Sequence, residues 1–351
     1  MPTISIDEHG TSVYYVDSGA PPGSTDYTTL IMYHGYVVHA HIFRRMFPHA
    51  AAHNLRIIAP NMREYPGSSQ LSDSQLACFH SADEEEQETV IVELGKDAAL
   101  FAARVTLQEN LPLPAKVGGV KAGGVCLVSW SAGGATLMAL LSYLPTFDEL
   151  TRATLERYVT TLVAHDPPCL VLGIADPPKT YTPARDLKIT PDQLKDRFML
   201  WASTFFEPFA DLNAVTAASV ATHKEISDVP EHSPTYVRMS PEEVDDTTFG
   251  GVASRIGAAV VGWEISWRNT YNSLFDTKGT LPGIPIYVLW GAMSPWNVPW
   301  SARFISDVAE KPAPPGEQRR ELHIERLEGL AHFANWDDPE RMIRIFADHT
   351  K

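Results

Sequence analysis

Between Val125 and Gly134 an apolar run, Val-Cys-Leu-Val-Ser-Trp, breaks into Ser131-Ala-Gly-Gly, and few backbone arrangements accommodate that break. A strand that turns at once into a helix brings the two backbones close together, so small residues are needed beside the turn. The residue at its apex is strained, with its side chain projecting from the strand end and the next backbone N–H aimed beside it. A serine there reads as a nucleophile on an elbow. The usual spacing is Gly-x-Ser-x-Gly, whereas Ser129-Trp130-Ser131-Ala132-Gly133 replaces the first glycine by the next-smallest polar residue. An ordinary strand-end turn would carry the same letters, so the remaining sequence has to supply what a nucleophilic serine requires.

Short β-rich runs and helical patterns alternate along the chain, which predicts an α/β fold with a mostly parallel central sheet flanked by helices. Ile4–Ile6 and Val13–Val16 read as an opening hairpin, and 29–33 and 55–59 as buried strands separated by a helix-like segment around 42–53. The fifth strand precedes Ser131; the sixth covers 159–164 and ends at His165-Asp166-Pro167-Pro168, where the prolines stop it. Strands at 286–290 and 322–327 complete the sheet. Ser81-Ala-Asp-Glu84 has the capping-box pattern, and Val90, Ile91, Leu94, Ala98, Phe101, Ala102 and Val105 follow at helical spacing. A buried helix is expected over 135–144, and a closing one after Asp338-Pro339, an N-cap with proline at the first helical position.

From 167 to 283 the pattern becomes helical and aromatic, which predicts an inserted helical lid; residues 1–166 and 284–351 would then form one core domain. A chain of 351 residues is long enough for both. The Pro/Gly-rich stretches 111–124 and 311–316 read as loops.

A serine nucleophile needs a base, a group that orients the base, and donors for the developing oxyanion. Among 13 histidines, His332 follows the last expected strand in a loop directly before the closing helix, and it is the candidate base. The third strand ends in Tyr33-His34-Gly35-Tyr36, where Gly35 permits an unusual turn. The N–H of Tyr36 could there join that of Ala132 as an oxyanion hole. Asn61 to Ser69 reads as a structural turn without chemistry.

This set resembles the α/β-hydrolase family, in which nucleophile, acid and histidine follow in that order with a lid between the sixth and seventh strands. The resemblance spans 28–166 and 284–349. In most of that family the acid follows the seventh strand in a pattern like Gly-x-x-Asp. Here the segment is Trp290-Gly291-Ala292-Met293-Ser294-Pro295-Trp296, with a serine in the acid's place and no carboxylate before Asp307. Two explanations compete: a defective triad, or an acid from another strand end. Asp166, at the end of the sixth strand and next to the elbow strand in such a fold, is the favoured acid. An acid there, with none after the seventh strand, is similar to the zearalenone-type lactonases.

The resemblance implies a serine hydrolase acting on an ester, lactone or amide through Ser131, His332 and Asp166. Serine at the elbow argues against direct attack on carbon, as in haloalkane dehalogenases and epoxide hydrolases, where an aspartate attacks. Two alternatives stay open: a lyase or isomerase using the triad as a proton shuttle, or a binding protein whose triad is vestigial. A net charge of −15 disfavours nucleic acid, anionic membranes and anionic substrates, leaving a neutral apolar or aromatic small molecule as the expected partner. Trp130, Trp296, Trp201 and Trp263 are candidates for lining its pocket. No metal and no cofactor are expected, because the three cysteines are scattered and Gly118-Gly119 and Gly123-Gly124 precede a strand instead of following one. The apolar fraction of 44%, with no run of membrane-spanning length and no secretory signal at the start, points to a cytoplasmic protein, with a homodimer as its candidate assembly.

Overall fold

A computed structural model describes residues 2–226, 229–256, 262–278 and 280–351. Among the described residues eight strands make one sheet: β1 (Thr3–Ser5), β2 (Ser12–Asp17), β3 (Thr28–Tyr33), β4 (Leu55–Pro60), β5 (Val125–Trp130), β6 (Val159–His165), β7 (Ile286–Gly291) and β8 (Leu322–Leu327). Their spatial order is β1-β2-β4-β3-β5-β6-β7-β8, antiparallel through β1, β2 and β4 and parallel from β4 to β8. Every residue of β3, β4 and β5 is buried, as expected of central strands with helices on both faces. Alternate residues feed two cores: Ile31 and Leu127 pack on one face with Phe101 and Leu137, while Leu30, Met32, Val128 and Trp130 pack on the other with Phe43 and Phe346.

The first face is covered by α1 (Glu84–Gln108) and α2 (Gly133–Tyr143). These two cross closely at Gly95, where a Cβ would stand 2.8 Å from the carbonyl carbon of Ala139. Four more helices matter for the site: α3 (Pro191–Ala202), α4 (Trp263–Leu274), α5 (Asn297–Ala309) and α6 (Pro339–Thr350). As anticipated, α6 starts from Asp338, which accepts the N–H of Arg341 at 3.3 Å.

Three local expectations are corrected. The segment read as a helix over 42–53 is 3-10 over Ala40–Met46, one α turn over Phe47–Ala50, and 3-10 again over Ala51–His53. Pro48 lacks an N–H and is tolerated only in the first turn of a helix, so the α turn restarts around it. The cap of α1 is Asp83, which accepts the N–H of Glu85 at 2.9 Å, while Ser81 caps the preceding turn by accepting the N–H of Asp83 at 3.0 Å. Within 111–124, read as a loop, lies a small separate hairpin of Ala115–Val117 and Val120–Ala122.

Between β6 and β7 the described residues add no strand to the sheet. This segment is tied down at several points. His39 donates its N–H to Thr247 O at 3.0 Å and Phe249 its N–H to Val37 O at 2.8 Å. The indoles of Trp296 and Trp300 donate to Tyr181 O and Ala175 O at 2.8 and 3.0 Å. Its last helix, α4, lies along α2, where Ser273 Oγ donates to Met138 O at 2.9 Å. Among the described residues no helix is long and apolar enough to cross a membrane.

Candidate active site

Strand β5 ends at Trp130, and Ser131 turns the chain with φ +56°, the left-handed region that a non-glycine residue enters only under constraint. Its N–H donates to His165 O on β6 at 3.0 Å. The helix that follows starts against the end of β3: a Cβ on Gly133 would stand 2.5 Å from Tyr33 O and 2.8 Å from His34 O. Glycine at 133 is therefore a condition of the turn.

The three residues nominated as a triad come together. His332, in the loop after β8, places Nε2 2.9 Å from Ser131 Oγ and Nδ1 3.0 Å from Asp166 Oδ2. With Asp166 ionised, Nδ1 carries the proton and Nε2 is left to accept the serine hydroxyl proton. Asp166 also turns left-handed, at φ +50°, and is fully buried. It accepts the N–H of Gly291 on Oδ1 at 2.6 Å and the hydroxyl of Ser294 on Oδ2 at 2.5 Å. Burial pushes its carboxyl up, but hydrogen bonds from His332 and Ser294 and the nearby histidines outweigh burial and hold it below the ordinary carboxylate range. Ser294, found where the family pattern expects an acid, instead braces the Asp166 carboxylate just past the end of β6.

On the other side of the nucleophile, Gly35 packs against it so closely that a Cβ would stand 3.0 Å from Ser131 Cβ. His34 fixes this turn: Nδ1–H donates to Gly35 O at 2.9 Å and Nε2 accepts the N–H of Met62 at 3.1 Å. Burial depresses its pKa to about 3, so it stays neutral and can hold both bonds. Among the described residues the backbone N–H groups of Tyr36 and Ala132 have no protein acceptor, which leaves two donors beside Ser131 for a developing anion.

Ser131, Ala132 and Tyr36 open on a cavity of about 270 Å³ whose walls are largely apolar, including Met62, Leu94, Phe101, Met138, Phe198 and Trp296. Of the four tryptophans nominated for this wall, Trp296 takes part in it. Trp130 does not: it points to the opposite sheet face, packs against Phe43 and Phe333, and donates its indole N–H to His332 O at 2.9 Å. Trp201 packs into the cores beside Phe198, which takes the wall position one turn earlier on α3. Trp263 lies under the Arg185 guanidinium, 4.8 Å from its ring centroid, outside the wall. Aromatic letters marked the right segments, but helix and strand phase decided which side chains face the cavity. The bracing role of Ser294 went unread, although its place in the acid's usual position was a usable signal.

No protein-family model and no curated protein sequence matches the chain. Solved structures do match. Epoxide hydrolase A from Mycobacterium thermoresistibile aligns over 99% of this chain and 97% of its own, with a TM-score of 0.55 and 15% identity. A variant of the epoxide hydrolase from Solanum tuberosum aligns over 97% and 95%, with a TM-score of 0.52 and 15% identity. A carboxylesterase from the ammonia-oxidizing thaumarchaeon Nitrososphaera gargenis aligns over 99% and 97%, with a TM-score of 0.50 and 14% identity. The chain therefore has the α/β-hydrolase fold that its sequence resembles.

Proposed function

We propose that this protein is a serine hydrolase that cleaves an ester, lactone or amide bond in a hydrophobic small molecule through an acyl-enzyme on Ser131. The observation that carries this reading is the unbroken hydrogen-bonded relay from Asp166 through His332 to Ser131, opening on an apolar cavity. His332 Nε2 takes the hydroxyl proton as Ser131 Oγ attacks the carbonyl carbon. Asp166 holds the tautomer this transfer needs and stabilises the imidazolium that results. The tetrahedral oxyanion is held by the N–H groups of Ala132 and Tyr36. His332 then protonates the leaving alkoxide or amine, and a water that gives His332 its proton releases the acyl group. The apolar walls and the net charge of −15 favour a neutral substrate. The bracing of Asp166 by Gly291 and Ser294 fits a working acid better than a vestigial one. Three unpaired cysteines suit a reducing cytoplasm.

Treatment with a fluorophosphonate is expected to place one covalent label on the Ser131 peptide, read by mass spectrometry, and an acyl-enzyme is expected to accumulate during turnover of an activated ester. Labelling that persists in Ser131→Ala, or ester hydrolysis without an acyl-enzyme, would overturn the proposal. Trp130→Phe tests how the base is held. It keeps an aromatic ring between Phe43 and Phe333 and removes only the donor to His332 O. Losing one such bond, worth about 1 kcal/mol, is expected to lower kcat roughly fivefold to tenfold with KM little changed. Steady-state kinetics on the same ester checks this.

A further inference from the structure

One wall of the cavity carries a charged pair in otherwise apolar surroundings. On α1, Ile91, Leu94, Asp97, Ala98 and Phe101 all line the cavity, and at 3.6 residues per turn they fall within an arc of about 120°. Asp97 therefore stands on the cavity face of the helix. Arg63, in the turn after β4 that the sequence marks as structural only, lines the cavity beside it. The guanidinium is held from behind, where Nη2 donates to Gln75 Oε1 at 3.2 Å and Nε to Ser69 O at 3.4 Å. Its Nη1 meets Asp97 Oδ2 at 3.4 Å, well beyond the ~2.8 Å of a close charge-assisted bond. Among the described residues Asp97 Oδ1 accepts no hydrogen bond, yet the side chain keeps 15% of its surface accessible. Burial pushes the carboxyl up to about 6, outweighing the pull of Arg63, and Asp7 and Glu93 add to the push. A carboxylate so placed is short of donors and can be reached from the cavity.

We propose that Asp97 and Arg63 form a second subsite that selects substrates carrying a hydroxyl group at the end remote from the bond that Ser131 attacks; this rests on the serine hydrolase reading. The hydroxyl donates to Asp97 and its oxygen accepts from Arg63 Nη1, which closes the gap in the pair. An ionised carboxylate only accepts, so a ketone, ether or methyl group at that end leaves it as poorly served as before. An ammonium group would face the Arg63 charge as well as Asp97, and a pair of opposite charges favours a neutral donor over a cation. Tyr33 ties this wall to the nucleophile: it pairs with Ser129, two residues before Ser131, and donates its hydroxyl to Ala98 O at 3.0 Å. The subsite thus lies within reach of one small molecule attacked at Ser131.

Three series of p-nitrophenyl esters test this on the full-length protein at about pH 8, where Asp97 is ionised: plain, ω-methoxy and ω-hydroxy alkanoates with acyl chains from butanoyl to dodecanoyl. At the best-fitting chain length the hydroxy ester is expected to exceed its plain and methoxy counterparts in kcat/KM by about tenfold or more, because a site built to bond a hydroxyl rejects analogues lacking it. Asp97→Asn keeps the shape and removes the charge, and is expected to cut that ratio to roughly threefold or less, since a neutral acceptor makes a weaker bond. Arg63→Met combined with Asp97→Leu removes both charges together, which spares the fold an orphaned ion, and is expected to bring the ratio to near one. Calorimetry of the matching methyl esters with Ser131→Ala, alone and combined with Asp97→Asn, reads the same preference without chemistry and in either orientation of the ligand. Hydroxyl-dependent binding that Asp97→Asn weakens, with no hydrolysis of any ester, would defeat the hydrolase reading and leave the subsite standing. Equal treatment of the three series in both assays, failure of all of them to bind, or a hydroxyl preference that survives either change at Asp97 overturns the subsite.

Discussion

Replacing Asp166 by asparagine is expected to lower kcat by about four orders of magnitude while leaving the fold intact, the scale on which triad acids matter in serine hydrolases. The carboxylate receives three donors: Gly291 N–H, the Ser294 hydroxyl and His332 Nδ1–H. Asparagine is the same size but offers one acceptor oxygen and a donating NH2. With its oxygen kept by Gly291, the NH2 faces His332, whose Nδ1 must then accept and whose Nε2 must carry the proton. In that tautomer the imidazole cannot take the Ser131 hydroxyl proton. Ser294→Ala removes only one brace and is expected to cost roughly fivefold. Because Ser294 Oγ already lies 2.5 Å from Asp166 Oδ2, adding Ser294→Asp to Asp166→Asn should restore part of the rate. Steady-state kinetics with an unfolding curve for each variant decides the matter. An Asp166→Asn protein within tenfold of the parent would show that the acid lies elsewhere.

Conformational stability is expected to fall steeply as the pH drops below about 6.5. Burial depresses the pKa of His34 to about 3 and those of His39 and His165 to about 4, against an ordinary value of 6.5. Below pH 6.5 the unfolded chain binds a proton at each of these three sites and the folded chain does not, so acid pulls the equilibrium towards unfolding. Asp97 works the other way. Burial raises its pKa to about 6, so the folded state holds a proton there that the unfolded carboxyl takes up only near 3.8. Between about pH 6 and 4.5 the difference is three protons against one. At about 1.4 kcal/mol per proton and pH unit, stability drops by roughly 3 kcal/mol for each unit of acidification. Urea midpoints measured from pH 7 to pH 5 check the slope, and a flat profile would contradict it. His165→Leu should reduce the slope by one proton, since neither ring nitrogen of His165 has a partner to lose.

What was legible in the sequence and what was not divide along physical lines. Strand positions were readable because central strands of a covered sheet are buried on both faces and appear as unbroken apolar runs, as at Thr28–Tyr33 and Val125–Trp130. The elbow was readable because Gly133 has no substitute against the Tyr33 carbonyl. His332 and Asp166 followed from their places at strand ends. The irregular segment 40–53 was not readable: its apolar spacing suits a helix, and only Pro48 marks the break. Short exposed pieces such as the 115–122 hairpin carry no burial pattern to read. Pocket residues were hardest. Trp130, beside Ser131, and Trp296, two residues past Ser294, are equally aromatic, yet Trp296 faces the cavity and Trp130 holds a backbone carbonyl from behind.

Ser131 and Asp166 leave neighbouring strands one step after paired residues, Trp130 opposite His165, and both do so in the left-handed conformation. Their separation is therefore gauged by strand register, the stiffest ruler in the molecule, and owes nothing to any loop. His332 alone arrives on a connection between a strand and the closing helix. Two posts are fixed by register and the third residue is carried to them, so a residue added or lost within β6 would ruin the alignment outright. The connection that delivers the imidazole can change length and composition and still serve, provided the Trp130 indole goes on catching its carbonyl.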